Sequence, residues 1–132
     1  MKFCIPEGDD RPRFACDSCG AIHYQNPVMV VGCIPEFEDK ILLCRRAIEP
    51  RAGLWTLPAG YLENGETMID GARRETREEA GAALNELKPF ALFDLPFINQ
   101  IYLMFRGPLR SADCRPGEES LEVRLFREDA IP

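Results

Sequence analysis

Three glutamates, Glu75, Glu78 and Glu79, stand at i, i+3 and i+4 in the 132-residue chain. On a helix that spacing puts all three carboxylates on one side within a turn. Like charges so close repel. They are stabilised either by basic neighbours or by a divalent cation, which as a hard ion takes oxygen ligands. Arg73, Arg74 and Arg77 are such neighbours, so spacing alone leaves two readings level: a carboxylate site for magnesium or manganese, and a solvated, salt-bridged helix face. A second set of candidate ligands lies near the N-terminus, where Cys16 and Cys19 have the spacing of a zinc knuckle and Cys4 precedes them. A closed structural zinc site takes four ligands. Three cysteines would therefore need a fourth donor such as His23, and the alternative is a set of reduced thiols.

The elements that must position these residues follow from patterning. The stretch from Thr67 to Ala80 has no proline, is dense in Ala, Arg and Glu, and is followed by Gly81 as a C-terminal cap, which predicts a helix. Ile69, Ala72, Thr76 and Ala80 form its small, mostly apolar side, so the glutamates are expected to face away from the core. Apolar runs predict strands over residues 28–34, 40–45, 90–94, 100–106 and 122–126, with a hairpin turn at Glu36 to Asp39. Strands around one helix argue for an α/β (α+β) domain with a mixed sheet. Cys33 and Cys44 fall inside the first two runs and read as buried free thiols, while Cys114 stands alone. Residues 1–25 have a different texture, short of aliphatic side chains and carrying three of the six cysteines. They read as an arm set off from a domain of residues 26–132.

Composition bounds the function. With 45% hydrophobic residues the chain can fill one core. Sixteen basic against 22 acidic residues give a net charge of -6. Such a chain lacks the broad cationic field that phosphate-backbone binding relies on, so nucleic acid is not the expected partner. No apolar run approaches the roughly 20 residues that span a bilayer, and the N-terminus has no apolar signal core, so no membrane partner and a cytoplasmic location are expected.

Gly60, five residues, Glu66, seven residues and then Arg74-Glu75-Thr76-Arg77-Glu78-Glu79-Ala80-Gly81-Ala82 resembles the Nudix box at every charged and glycine position. Thr76 and Ala82 fill two positions that are usually aliphatic. In that family the segment is a loop-helix-loop on an α/β/α sandwich. The resemblance implies that Glu78 and Glu79 are the principal metal ligands, with Glu75 and the Gly60 carbonyl completing the site. It further implies that Arg74 orients a glutamate and that Glu66 steadies the loop.

Gly53-Leu54-Trp55-Thr56-Leu57-Pro58-Ala59-Gly60 resembles the family's entry into its box, and Ile22-His23-Tyr24-Gln25-Asn26-Pro27 resembles the entry into the first core strand of a subgroup bearing an N-terminal zinc ribbon. That subgroup's arm carries two Cys-x-x-Cys pairs, of which the first is cut down here. The likeness runs over nearly the whole chain and implies a hydrolase that cuts the pyrophosphate of FAD or ADP-ribose to AMP plus FMN or ribose 5-phosphate. The NADH-cleaving branch carries a Ser-Gln-Pro-Trp-Pro-Phe-type signature after the box, where this chain has Phe93-Asp94-Leu95-Pro96-Phe97-Ile98-Asn99-Gln100, so NADH ranks lower. Glu119, in Pro116-Gly117-Glu118-Glu119, is the candidate general base and a further metal ligand, with Glu122 second. Arg46, Trp55 and Phe97 are the candidate substrate contacts, and a homodimer is the candidate assembly. Relatives of this kind continue past the Pro132 position into a further helix, so the resemblance implies a shortened form. The rival function is a silent Nudix domain that binds a nucleotide and regulates a partner; the intact glutamates favour the enzyme.

Overall fold

Ten strands and one α-helix are laid out in a computed structural model that describes all residues, Met1–Pro132. The arm forms its own three-stranded antiparallel sheet from β1 (Lys2–Cys4), β2 (Arg13–Ala15) and β3 (Ile22–His23). It buries little apolar surface. Local contacts pin it instead: Phe3 packs on Phe14 with ring centroids 4.9 Å apart, Arg13 pairs with Asp9 at 3.1 Å and lies over the Tyr24 ring, and the terminal amine meets Asp17.

The main sheet has the order β10-β5-β4-β9-β8, built from β4 (Val28–Phe37), β5 (Lys40–Arg46), β8 (Lys88–Leu95), β9 (Gln100–Pro108) and β10 (Ser120–Arg127). Two short strands, β6 (Trp55–Thr56) and β7 (Ala59–Tyr61), pair with β5 and β4. The sheet is mixed, because β4 and β9 run parallel while the other pairs are antiparallel. Parallel neighbours need a long crossover, and here the connection from β4 to β9 contains α1 (Met68–Ala80). Strand β4 runs further than its apolar run suggests, through Phe37, so the hairpin turn narrows to Glu38 and Asp39.

Helix α1 starts where Thr67 accepts a hydrogen bond from the Asp70 amide at 3.1 Å, a cap that contributes about 1 kcal/mol. It ends where Gly81 turns left-handed with φ 59° and returns its N–H to the Arg77 carbonyl. Ala72, Thr76 and Ala80 are fully buried against a core of Cys33, Leu42, Cys44 and Phe105. The sidedness expected from the sequence needs two corrections. Ile69 is exposed rather than inward, and Glu75 is buried rather than turned to solvent. The Glu75 edge of the helix faces β7, where Gly60 lies against its carboxyl group, and Ile69 on the first turn is left exposed. Within these residues α1 covers one face of the sheet only; no second helix supplies the other outer layer of an α/β/α sandwich. On that other face Trp55 stands edge-on to Phe126, with centroids 4.9 Å apart. No helix is long and apolar enough to cross a membrane.

Candidate active site

Arg74 organises the glutamates. Its Nε and Nη2 donate to both oxygens of Glu66 at 3.0 and 2.7 Å, and Nη2 also donates to the Tyr61 carbonyl at 3.0 Å. Nη1 donates to Glu75 at 2.7 Å and to Glu78 at 3.2 Å. One planar guanidinium thus ties the loop after β7 to two carboxylates of the helix, a geometry a lysine point charge would not reproduce. Glu66 in turn accepts the Glu63 amide at 2.9 Å, and its carboxyl is held down to about 2, first by the Arg74 hydrogen bonds.

Glu79 is placed differently. It is half-buried, and burial, followed by the charge of Glu75 and a hydrogen bond shared with it, pushes its carboxyl up to about 8. The Ala59 amide and the charge of Arg46 act in the opposite direction. A carboxylate pressed against a second carboxylate in a partly dry site is the donor set that a divalent cation stabilises. Gly60 completes the fit, since a Cβ there would overlap the Glu75 carboxyl group. Only glycine lets the β7 backbone lie against that side chain. Glu78 is the exposed member of the three. As the side chains stand, no three His, Cys, Asp or Glu groups converge as a ligand set. Glu75 and Glu79 meet, while Glu78 is drawn aside by Arg74 and can turn back by rotation of an exposed side chain.

Loop 116–119 closes over the end of the helix. The Glu79 carbonyl accepts the Ser120 hydroxyl at 2.8 Å and the Gly117 amide at 3.2 Å, and the Glu119 carbonyl accepts the Ala47 amide at 2.9 Å. The Glu119 backbone therefore lies between the helix end and the end of β5, and its side chain is exposed. Glu122 pairs in register with Arg45 on the opposite face and forms an ion pair with Arg124. Of the candidate substrate contacts, Arg46 lies beside Glu79. Trp55 packs on Phe126 on the face away from α1, apart from the glutamates, and Phe97 lies 79% exposed on the turn before β9, with no contact to the glutamates shown. Sequence reasoning missed Ala59 and Ser120, which act through a backbone amide and a hydroxyl and carry no motif signal. In the arm, the nearby amides of Cys19 and Ser18 lower the Cys16 thiol, and Cys4, Cys16, Cys19 and His23 do not converge as a set of three or more ligands.

A family model of the NUDIX domain matches residues 26–131, and a second, described as Nudix N-terminal, matches residues 1–25. The crystal structure of a NUDIX hydrolase from Nitrosomonas europaea is similar, with 55% identity and a TM-score of 0.92 over 100% of this chain and 81% of that one. Among curated proteins, the NAD-capped RNA hydrolase of Chromobacterium violaceum is 32% identical over 89% of this chain and 44% of its own length. The ADP-ribose pyrophosphatase of Methanocaldococcus jannaschii is 27% identical over 83% of this chain and 67% of its own. The chain spans about half the length of the NAD-capped RNA hydrolases it matches. With the box helix, its Arg74 clamp and the Gly60 approach in place, the matches over both segments show that this chain belongs to the Nudix family.

Proposed function

We propose that this protein is a pyrophosphohydrolase that cleaves a nucleoside-diphosphate-linked compound, FAD or ADP-ribose first, to AMP plus FMN or ribose 5-phosphate. The observation that carries the reading is the Glu75–Glu79 pair, half-buried against Gly60 with Arg46 alongside. The reading includes a division into an arm of residues 1–25 and a hydrolase domain of residues 26–132.

Glu75, Glu78, Glu79 and the Gly60 carbonyl would hold magnesium or manganese, and Glu119 would reach the same site. When bound, the cation neutralises pyrophosphate oxygens and makes an attacking water more acidic. Arg74 holds Glu75 and Glu78 in register, Arg46 would turn the guanidinium nitrogens not bonded to the Pro50 carbonyl toward a substrate phosphate, and Glu119 would take the proton of the attacking water. This arrangement favours an enzyme over a silent nucleotide-binding domain, because Glu79 is pressed against Glu75 and receives no hydrogen bond from Arg74, a crowding that a bound cation relieves.

A second reading has specific support. Several curated relatives act, by name, on NAD-capped RNA, so an NAD-type dinucleotide, alone or at the end of an RNA chain, is the next candidate despite the missing NADH signature. The acidic net charge does not exclude it, since the charge is not evenly spread. The test is a comparison of kcat/KM for FAD, ADP-ribose, NADH and an NAD-capped oligoribonucleotide with magnesium or manganese. A higher value for either NAD compound than for both FAD and ADP-ribose overturns the first substrate choice. No release of AMP from any of them overturns the enzyme reading.

A further inference from the structure

A cleft of about 640 Å3 lies beside the glutamates, at the C-terminal end of α1, between the turn that follows the helix and loop 110–117. Four arginines line it, Arg73, Arg77, Arg110 and Arg115, against a single carboxylate, Glu78. Glu78 is itself engaged by Arg74. In a chain of net charge -6, this is a concentration of positive charge.

Arginines gather at helix C-termini for an ordinary reason, to satisfy the last carbonyls and complement the dipole. Arg73 has a role of that kind, donating to the carbonyls of Leu84 and Asn85 in the following turn at 2.8 and 2.7 Å. The other three do not act in this way: their side chains bond none of the end carbonyls, and three of the last four carbonyls already have partners. The Arg115 amide bonds the Ala80 carbonyl at 2.7 Å, the Gly81 amide bonds that of Arg77, and the Ser120 hydroxyl and Gly117 amide share that of Glu79. The side chains of Arg77, Arg110 and Arg115 take part in no ion pair and no hydrogen bond. Three unmatched guanidiniums around one concavity repel each other unless an anion joins them. The planar fork of arginine matches phosphate oxygens in pairs.

We infer that this cleft is a second anion site, which takes phosphate groups lying beyond the bond that is cut. Glu78 forms its rim and belongs to the glutamate cluster, so a substrate can span both. The inference rests on the pyrophosphohydrolase reading only for what happens next door. The shared chemistry is closely spaced phosphates, from the chain of an oligonucleotide-linked substrate or from free polyphosphate.

Binding is tested on the full chain in EDTA, where no hydrolysis occurs, by fluorescence anisotropy of a labelled, 5′-phosphorylated pentaribonucleotide at low salt. The triple substitution Arg77→Gln, Arg110→Gln, Arg115→Gln is expected to weaken binding at least about tenfold. It should also flatten the salt dependence by about 2 log units per log unit, from roughly 0.7 for each phosphate no longer neutralised. Arg127→Gln, at the end of β10 and not among the residues lining the cleft, is expected to leave both unchanged. Displacement of the oligonucleotide by an equal concentration of inorganic tripolyphosphate assigns the site to free polyphosphate, and resistance to it assigns the site to the chain. No binding by the wild type, no loss in the triple variant, or an equal loss in Arg127→Gln overturns the inference. AMP release from ADP-ribose is measured in parallel and should be the same in wild type and triple variant. If neither protein releases AMP, the enzyme reading fails while the anisotropy still decides the cleft.

Discussion

The Glu75 carboxyl group lies so close to the α-carbon of Gly60 that no Cβ fits between them. Gly60→Ala should therefore push Glu75 out of its place between Arg74 and Glu79. A displacement of about 1 Å at a reacting site costs roughly 10²-fold in rate, and overpacking costs about 1–3 kcal/mol of stability. The expected result is a loss of kcat on that scale with a protein that still folds. Steady-state kinetics beside a thermal melt checks it, and full activity would remove Gly60 and Glu75 from the site.

Glu78 separates ligand from scaffold. Its side chain is 57% exposed and its one partner is Arg74, so Glu78→Gln should change stability by no more than about 0.5 kcal/mol. Removal of a direct ligand should cost more than the roughly 10²-fold that loss of an outer partner can cost. Circular dichroism, a metal titration and turnover at saturating magnesium report the two effects separately. Turnover close to wild type would end the ligand assignment.

For Glu79 the pH dependence has a definite sign. Its carboxyl is raised from an ordinary 4.5 to about 8 by burial and then by Glu75. In the metal-free protein the folded state thus holds a proton that the unfolded state releases. This contribution to stability is fully present below about 4.5 and is lost as pH rises through about 8. A bound divalent cation replaces that proton and should flatten the dependence. Melting curves across this window in EDTA and in magnesium, for wild type and Glu79→Gln, test it: the slope should appear only in wild type with EDTA.

Burial divides the thiols. Cys33 and Cys44 are pushed up to about 12 by desolvation, while Cys16 is lowered by the amides of Cys19 and Ser18. Iodoacetamide near pH 8 should modify Cys16 and Cys19 in the native protein and reach Cys33 and Cys44 only after unfolding. Mass spectrometry of the peptides reads the order. Protection of Cys16 and Cys19 that a chelator removes would show that the arm does hold zinc.

Glu119 sits between the Ala47 amide and the end of the box helix, whereas Glu122 is committed to Arg124 on the far face. If Glu119 is the base, Glu119→Gln should lower kcat by about 10²–10⁴-fold and Glu122→Gln should not. A drop of less than a few-fold in Glu119→Gln moves the role to another residue.

Local chemistry was legible in the sequence. The Thr67 cap, the Gly81 stop and the spacing of Glu75, Glu78 and Glu79 depend on residues within a turn or two of each other, and so did the apolar runs that became β4, β5 and β9. What the three glutamates do depends on contacts distant in sequence. Glu75 is buried because β7 brings Gly60 against it, and Glu79 is raised because the fold buries it and sets it against Glu75, in spite of the Ala59 amide and the charge of Arg46. Glu78, one residue from Glu79, stays exposed. The sheet's pairing also turned Trp55 to the face away from α1, against Phe126. Helical spacing fixes which side of α1 a carboxylate occupies. How dry that side becomes, and which opposite charges it meets, is set by what the rest of the chain packs against it.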